Sequence, residues 1–205
     1  MSTPGAVLAA AARELYERGW LPGTSGNISL RLSAETALIT ASGRDKGSLT
    51  ESDAVLVSVD TSAAVSPDSP RPSAETTIHT AIYRATKAEA VVHTHAPFAT
   101  AVATLHGSAE ALSTVDMVGF ELLKGLGLRD PSRVAVPVFP NHADVPRIAA
   151  EVEDHLAANP EAPPVLLIEH HGLTTWGADY AQARNRMECV ESICQLLLLL
   201  KGRGF

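Results

Sequence analysis

The sequence predicts an α/β protein in which helices cover both faces of a mixed, largely antiparallel sheet. Short runs of β-branched and aliphatic residues alternate with longer segments of helical periodicity along the whole chain. Several neighbouring runs are separated by only a short polar turn, which is typical of antiparallel strand pairs. The length of 205 residues suits one large domain with a substantial core. We therefore expect a single domain over residues 1–205.

The predicted helices have recognisable ends. Thr3 can cap the first helix, Pro4 lies in its first turn, and Gly19 ends it. Ser73 and Asp144 stand before two later helical segments and can cap them in the same way. In chain order, helices are predicted from Thr3 to Gly19, from Ser73 to about Lys87, through Ala99 to Leu105, over a short stretch from Glu121 to Leu126, from Asp144 to about Ala158, and from Ala178 to Lys201.

The predicted strands are short and lie between these helices. Pro137 interrupts the fifth of them and cannot donate a ladder hydrogen bond, which indicates an edge strand or a bulge. The segment 60–72 is rich in Ser, Pro and Asp and is interpreted as a surface loop. The predicted strands cover residues 28–32, 37–40, 54–59, 90–95, 134–139, 165–168 and 173–176.

Composition excludes several functional classes. A formal charge of −7 and a pI near 5.6 argue against a nucleic-acid surface, and no basic run is present. The longest leucine run, Leu196–Leu200, is far shorter than the roughly 20 residues of a membrane helix. The first residues lack a positive n-region and an apolar h-region, so we expect no signal peptide. Cys189 and Cys194 fit neither a CxxC motif nor a disulfide framework. We expect a cytoplasmic protein without nucleic-acid or membrane partners.

Two histidines at a strand end indicate a metal site. His93 and His95 follow the apolar pair Val91-Val92 and precede Pro97, which ends the strand. Because side chains alternate along a strand, both imidazoles should point the same way. Two imidazoles side by side can bind one divalent metal ion. The sequence therefore predicts a metalloenzyme.

A catalytic zinc-type site commonly uses three protein ligands and keeps one open position. The best candidate for the third ligand is His171, which follows an apolar strand and precedes Gly172. Glycine at that point lets backbone and metal approach closely. The neighbouring His170 competes for the role, and only one of two adjacent strand residues is expected to face the metal.

Three loops combine small residues with hydroxyl groups, a composition typical of anion sites. The loops are Thr24–Asn27, Ser42-Gly43 and Ser73-Ala74, each at a junction between predicted elements. Main-chain amides in such loops can surround a phosphate, and a helix start such as Ser73 favours an anion. Arg44 and Lys46 could add positive charge. Together with the histidines, these loops predict a phosphorylated substrate beside a metal ion.

Five segments in this order resemble the class II aldolase/adducin family, and the resemblance extends along nearly the whole chain. That family has a three-layer α/β/α sandwich fold, so the resemblance implies the same architecture here. It also implies a homo-oligomer, by analogy a homotetramer. The segments that carry the resemblance are Gly23–Ser29, Ala41–Gly43, Arg71–Thr76, His93–His95 and His170–Gly172.

The resemblance also implies site residues. In the family, the two histidines of His-x-His and a histidine before a later glycine hold zinc, which implies one Zn²⁺ per subunit held by His93, His95 and His171. Glycine-hydroxyl loops hold the substrate phosphate in that family. By match, with Lys46 added for its charge, the phosphate-binding residues are Ser25, Gly26, Asn27, Ser42, Gly43, Lys46 and Ser73.

Finer features resemble one branch of the family, whose members remove water from 5-methylthioribulose 1-phosphate in methionine salvage. The segments Arg18–Asn27, Ser42–Gly47 and Phe120–Gly125 carry this likeness. The branch implies a hydro-lyase that makes 2,3-diketo-5-methylthiopentyl 1-phosphate, with Glu121 as the acid/base. Aldolases of the wider family use the glutamate that corresponds to Glu75, which is the less favoured candidate.

Two other functions are weighed against this one. The first is a class II aldolase or epimerase acting on fuculose or ribulose phosphates, which would share the metal and the phosphate loops. The second is a non-catalytic, adducin-like interaction module that has lost the metal. Retention of His93, His95 and His171 argues against such a module.

Overall fold

The computed structural model describes residues 2–201. Its helices are α1 (Pro4–Glu17), α2 (Thr76–Ala85), α3 (Pro97–His106), α4 (Val145–Ala158) and α5 (Tyr180–Leu200). Its strands are β1 (Asn27–Arg31), β2 (Thr36–Thr40), β3 (Ala54–Ser58), β4 (Ala90–Thr94), β5 (Ser113–Val118), β6 (Arg133–Phe139), β7 (Val165–Ile168) and β8 (Gly172–Gly177). Three short 3₁₀ segments cover Lys46–Ser48, Glu51–Asp53 and Glu121–Leu126.

The strands form one eight-stranded sheet in the order β3-β2-β1-β4-β8-β7-β6-β5. Every neighbouring pair is antiparallel except β6 and β7, which are parallel. The mixed, largely antiparallel sheet predicted from the sequence is therefore confirmed. The last strand in sequence, β8, lies between β4 and β7 and so joins the two halves of the sheet.

Helices cover both faces of the sheet, which confirms the three-layer arrangement. Successive strand residues point to opposite faces, so Val92 and Leu167 belong to one core while Val91 and Leu166 belong to the other. The first core is closed by α1, α3 and α5, and the second by α2 and α4. None of the helices within residues 2–201 is long and apolar enough to cross a membrane.

Of the three predicted caps, Thr3 is confirmed, Ser73 acts ahead of the helix start, and Asp144 makes no capping bond. The Thr3 hydroxyl accepts a hydrogen bond from the Ala6 amide at 3.1 Å, and Gly19 adopts a left-handed φ of +74° just beyond α1. The Ser73 hydroxyl accepts from the Glu75 amide, so Ser73 orders a turn ahead of α2 rather than its first residue. Asp144 precedes α4 without a side-chain capping bond.

Two sequence expectations differ from the structure at this end of the sheet. The edge strand β5 was not predicted, although its buried Val115 and Met117 alternate with exposed residues. Pro137 lies in β6, which is internal in the strand order and has a continuous register against β5, so no bulge is present there. The proline is tolerated because β6 pairs with β7 only at Val138 and Phe139, beyond the missing donor.

Candidate active site

Three histidines converge at one end of the central strands. His93 lies in β4 and His95 just beyond it, while His171 directly precedes β8, the antiparallel neighbour of β4. Their candidate ligand nitrogens all lie within 4.8 Å of one another. The ring centroids of the three pairs are 4.7 to 5.2 Å apart. Residues 78 positions apart in the chain, such as His93 and His171, thus meet because β4 and β8 pair.

His93 is the most strongly constrained of the three. Its Nδ1 lies 2.9 Å from the Thr174 hydroxyl, its direct neighbour in the β4–β8 register. Its buried Nε2 has no hydrogen-bond partner among the described residues, and neither has Nδ1 of His171. Burial lowers the pKa of His93 to about 3 and also lowers the pKa of His95, so both imidazoles are neutral at pH 7.

These features fit a divalent metal ion of the zinc type. Neutral imidazole is the form that binds metal, and a hydrogen bond on the opposite ring nitrogen holds a ligand in one orientation. The Thr174 contact does this for His93, because it occupies Nδ1 and leaves the orphaned Nε2 facing the cluster. The three-histidine cluster could therefore hold a metal ion.

The adjacent His170 faces away. Its backbone is left-handed, with φ of +52°, and its side chain is 61% exposed. His171 is 18% exposed and points into the cluster. A tight turn in this conformation separates the directions of two neighbouring side chains. The geometry therefore favours His171 over His170 as the third ligand.

Glu75 occupies the space against the cluster. Its Oε1 lies 2.8 Å from Nε2 of His171 and its Oε2 3.3 Å from Nε2 of His93, while Asn27 donates a 2.6 Å hydrogen bond to Oε2. Burial alone would raise the pKa of this carboxyl. The neighbouring His93 and His171 and the Asn27 bond outweigh burial and hold the pKa well below its usual range. Glu75 is therefore an ionised, oriented carboxylate.

A row of buried polar side chains extends from Glu75 along α2. Glu75, His79 and Tyr83 follow one another at four-residue spacing from the start of α2, so they line one helix face. The Ser29 hydroxyl on β1 lies 2.7 Å from both His79 Nδ1 and the Tyr83 hydroxyl. Burial lowers the pKa of His79 to about 4, so this imidazole is neutral. These contacts hold α2 against β1 beside the site.

The predicted anion-binding loops surround one cavity beside the histidines. Its volume is about 330 Å³, and His95, His171 and Glu75 form part of its wall. Gly26 and Gly43 both have φ of +70°, and a Cβ at Gly26 would lie 2.9 Å from the His93 carbonyl oxygen, so that glycine permits the close approach. The predicted phosphate residues that line the cavity are Ser25, Gly26, Asn27, Ser42, Gly43, Lys46 and Ser73.

Lys46 connects two of these loops. Its side chain is nearly inaccessible, and its Nζ donates to the carbonyl oxygens of Thr24 at 2.8 Å and Arg44 at 2.9 Å. Burial lowers the pKa of this amine. Arg44 is largely exposed and pairs with Asp53 at 3.3 Å. Of the two basic residues considered from the sequence, only Lys46 lines the cavity.

Glu121 lies elsewhere in the same chain. It begins a 3₁₀ segment, its side chain is 82% exposed, and it pairs with Lys124 at 2.7 Å. It does not line the cavity beside the histidines. Within one chain, the described residues therefore bring Glu75 to the histidine cluster and leave Glu121 on the surface.

Thr174 is the site residue that sequence reasoning missed. Nothing in its local sequence distinguishes it from Thr175. Its role depends on the register that places it opposite His93, and that register is a property of the paired strands.

The comparisons with known proteins agree with this geometry. A family model described as the class II aldolase and adducin N-terminal domain matches residues 6–198. The chain belongs to this family. Two methylthioribulose-1-phosphate dehydratases are 41% identical (Microcystis aeruginosa, 97% of this chain and 96% of the relative) and 40% identical (Methylococcus capsulatus, 98% and 95%).

A longer relative from Nocardia farcinica is 55% identical over 195 residues. It is named as a bifunctional methylthioribose-1-phosphate isomerase and methylthioribulose-1-phosphate dehydratase. This chain covers 35% of that protein's length, whereas 95% of this chain is matched.

Solved structures share the fold across nearly the whole chain. An L-fuculose-1-phosphate aldolase from Thermus thermophilus is 28% identical, with a TM-score of 0.72 and coverage of 98% of this chain and 100% of the other. A second L-fuculose 1-phosphate aldolase has a TM-score of 0.81 at 22% identity, over 100% of this chain and 90% of the other. The class II aldolase architecture is therefore confirmed.

Proposed function

We propose that this chain is a hydro-lyase that converts 5-methylthioribulose 1-phosphate to 2,3-diketo-5-methylthiopentyl 1-phosphate in methionine salvage. The observation that carries the proposal is the three-histidine cluster, two members of which, His95 and His171, form part of the wall of a cavity lined by the three predicted anion-binding loops. Relatives of nearly equal length at 40–41% identity are named as dehydratases of that substrate, which favours dehydration over other family reactions. A cytoplasmic location belongs to the same proposal.

The loops would hold the phosphate. Backbone amides at Gly26 and Gly43 can approach the anion closely, and the hydroxyls of Ser42 and Ser73 line the same cavity. The Ser25 hydroxyl is buried and has no hydrogen-bond partner among the described residues, which suits a group that bonds to a ligand. Lys46 adds positive charge while it keeps two of the loops together.

His93, His95 and His171 would hold one zinc ion per chain. When bound, zinc supplies a Lewis acid that stabilises negative charge on the C2 and C3 oxygens of the substrate. Thr174 keeps His93 in the orientation that presents Nε2, and Glu75 is a carboxylate within reach of the same position. The phosphate cavity adjoins this cluster, so a substrate anchored at C1 would extend its carbonyl toward the histidines.

The chemical step requires one acid/base group. A carboxylate takes the proton from C3, and the same group then protonates the hydroxyl that leaves C4, so that one water molecule departs. The resulting enol becomes the 2,3-diketone. We propose Glu121 for this role, with Glu75 as the alternative.

Glu121 can act only if a neighbouring copy of the chain brings it to the cavity, because it is exposed outside the cavity of its own chain. We therefore propose a homo-oligomer, a homotetramer by family resemblance. Exposed apolar side chains at Val118 and Leu122, on either side of Glu121, are consistent with burial against another copy.

The direct test is an assay of the purified protein with methylthioribulose 1-phosphate, with fuculose and ribulose phosphates assayed in parallel. We expect loss of water and formation of the diketone, together with about one zinc per chain by elemental analysis. Release of an aldehyde would instead support the aldolase alternative. The similarity to an L-fuculose-1-phosphate aldolase at 28% identity is the reason for including that alternative in the test. Absence of bound metal, with no gain on adding it, would support the interaction module.

The identity of the acid/base and its origin can be tested together. We expect Glu121→Gln and His95→Ala to be inactive alone and to recover activity when co-expressed, because a mixed oligomer contains some complete sites. Co-expression of His95→Ala with His171→Ala is the control. Both of those changes damage the same cluster, so no complete site can form. Full activity of Glu121→Gln with loss of activity in Glu75→Gln would overturn our assignment.

A further inference from the structure

The first turn of α3 is capped by a residue from a distant helix. Its N-cap residue, Ala96, has no side chain that can accept a hydrogen bond, and Pro97 has no amide proton. The next two amides donate to Glu191 on α5, from Phe98 at 3.0 Å and from Ala99 at 2.7 Å. The amide of Thr100 donates to the Ala96 carbonyl. Every free amide of this turn is therefore satisfied, two of them by one carboxylate.

Glu191 is well suited to this position. Its side chain is buried, with 4% of the residue exposed, and it lies where the partial positive charge of a helix start favours an anion. A carboxylate has two acceptor oxygens and no donor, so it can serve both amides. A glutamine would place an NH₂ group against one of them.

The capped turn contacts two of the three candidate metal ligands through the backbone. His95 lies two residues before the first residue of α3, so the start of that helix helps to place its backbone, together with the bond from its amide to the Trp20 carbonyl oxygen at 3.0 Å. The Thr100 hydroxyl in the first turn lies 2.8 Å from the Ala96 carbonyl oxygen and 3.3 Å from the carbonyl oxygen of His171. The α3 start therefore follows His95 closely in the chain and contacts the backbone of His171.

Helix α5 also holds the residue between His93 and His95. The Thr94 hydroxyl contacts Sδ of Met187 at 3.1 Å, and Met187 lies one turn before Glu191 on α5. Two side chains of α5 thus fix the chain on either side of His95.

We propose that Glu191 is a positioning residue of the metal centre, which sets the relative placement of His95 and His171 through the start of α3. The proposal rests on the proposed function, because it requires that these histidines bind a metal ion. Glu191 would act without touching the ion or the substrate. Its loss should lower zinc affinity by more than the accompanying loss of fold stability can explain.

The test compares Glu191→Gln with Glu188→Gln and wild type. Glu188 also lies on α5, is partly exposed and pairs with Arg18 at 2.9 Å. Its variant therefore removes a carboxylate of the same helix that lies away from the site. Zinc affinity would be measured by competition with a chromogenic chelator, and the visible spectrum of the Co²⁺-substituted protein would report ligand geometry. Urea unfolding of the metal-free proteins would report stability separately.

We expect Glu191→Gln to bind zinc about 10- to 100-fold more weakly than wild type, the usual effect of losing a group that orients metal ligands. We also expect an altered Co²⁺ spectrum and recovery of much of kcat at saturating zinc. Glu188→Gln should match wild type in each measurement. Thr100→Val, which removes the hydroxyl that contacts His171, should also weaken zinc binding. If Glu191→Gln does not fold, the zinc affinity of Thr100→Val tests the proposal instead.

Two results would count against the proposal in different ways. Zinc affinity and Co²⁺ spectrum equal to wild type in Glu191→Gln, with lower stability alone, would assign Glu191 a purely structural role. Failure of wild type itself to bind zinc or Co²⁺ would overturn the proposed metal centre, and this inference with it.

Discussion

Thr174 illustrates how one buried hydroxyl can orient a neighbouring candidate metal ligand. It lies beside His93 Nδ1, and this contact leaves Nε2 directed to the cluster. We expect Thr174→Val to lower zinc affinity by about 10-fold or more, because the ring loses the partner that fixes its orientation. The measurement is the chelator competition described above.

Thr175 offers a matched control for that substitution. Its hydroxyl is equally buried but bonds to the Ala183 carbonyl oxygen at 2.8 Å, away from the histidines. Thr175→Val should cost a similar amount of stability and leave zinc affinity unchanged. Equal zinc affinity in both variants would show that His93 needs no support from Thr174.

A second residue-scale prediction concerns the buried His79. Its pKa is about 4 in the folded protein, against 6.5 for the exposed side chain. Between these values the unfolded chain binds more protons, so stability falls as the pH is lowered. From pH 7 to pH 5 this histidine should account for about 2 kcal/mol of lost stability.

Urea unfolding of the metal-free protein at the two pH values measures this effect. His79→Asn should have a pH-dependent loss smaller than wild type by about that amount, while its stability is lower at pH 7 because the Ser29 contact is weakened. His106→Asn, at the exposed end of α3, should keep the wild-type dependence. An unchanged pH dependence in His79→Asn would contradict the prediction.

At this scale, the sequence indicated residue types but not their partners. Strand alternation predicted that His93 and His95 share a face, and the structure places both in one cluster. Alternation could not decide between His170 and His171, since the answer depends on a left-handed backbone at residue 170. The position of Glu75 against His93 and His171 likewise required the tertiary structure.

At the scale of elements, Lys46 acts as a connection between loops. We expect Lys46→Met to weaken binding of inorganic phosphate, measured as protection against thermal unfolding, by about 10-fold, because both the charge and the loop geometry are lost. Losing two hydrogen bonds to partly buried carbonyl groups should also cost about 1–3 kcal/mol of stability. Arg44→Met removes an exposed charge that does not line the cavity and should change neither quantity appreciably.

Elements with strong end signals were predicted well, and one with weak signals was not. The first helix has a capping hydroxyl, an early proline and a terminal glycine, and α1 covers Pro4–Glu17 as these signals indicate. Strand β5 alternates buried and exposed residues and is followed by Gly119, but it is rich in polar residues, Asp116 among them, which weakens its local strand signal. Its identity as a strand depends on pairing with β6, which local sequence does not reveal.

At the scale of the whole molecule, the candidate metal site joins distant parts of the chain, so metal binding should stabilise the fold. Zinc at about 100 times its Kd should add roughly 2.7 kcal/mol. For a chain of this size that corresponds to a rise in Tm of about 5–10 °C. Differential scanning calorimetry with and without zinc measures the change.

His170 and His171 form the control pair for this prediction. His171→Ala should abolish the zinc-dependent rise in Tm, whereas His170→Ala, which changes an exposed side chain, should preserve it. The opposite result would exchange the roles of the two histidines.

The fold class followed from the pattern of elements, but the order of the strands did not. Short turns predict which strands are antiparallel neighbours, as β1 and β2 are. They cannot predict that β8 also pairs with β4, because that pairing depends on contacts across about 80 residues. The surface position of Glu121 depends on the same long-range arrangement.

The placement of β8 has a consequence for when the candidate metal site could take up an ion in the cell. A nascent polypeptide emerging from the ribosome exposes the pair at 93 and 95 long before residue 171 has been synthesised. Two imidazoles alone make a weak chelate, so the growing chain should not capture zinc from a scarce cellular pool. Metallation is therefore expected to follow translation, once the last strand has entered the sheet.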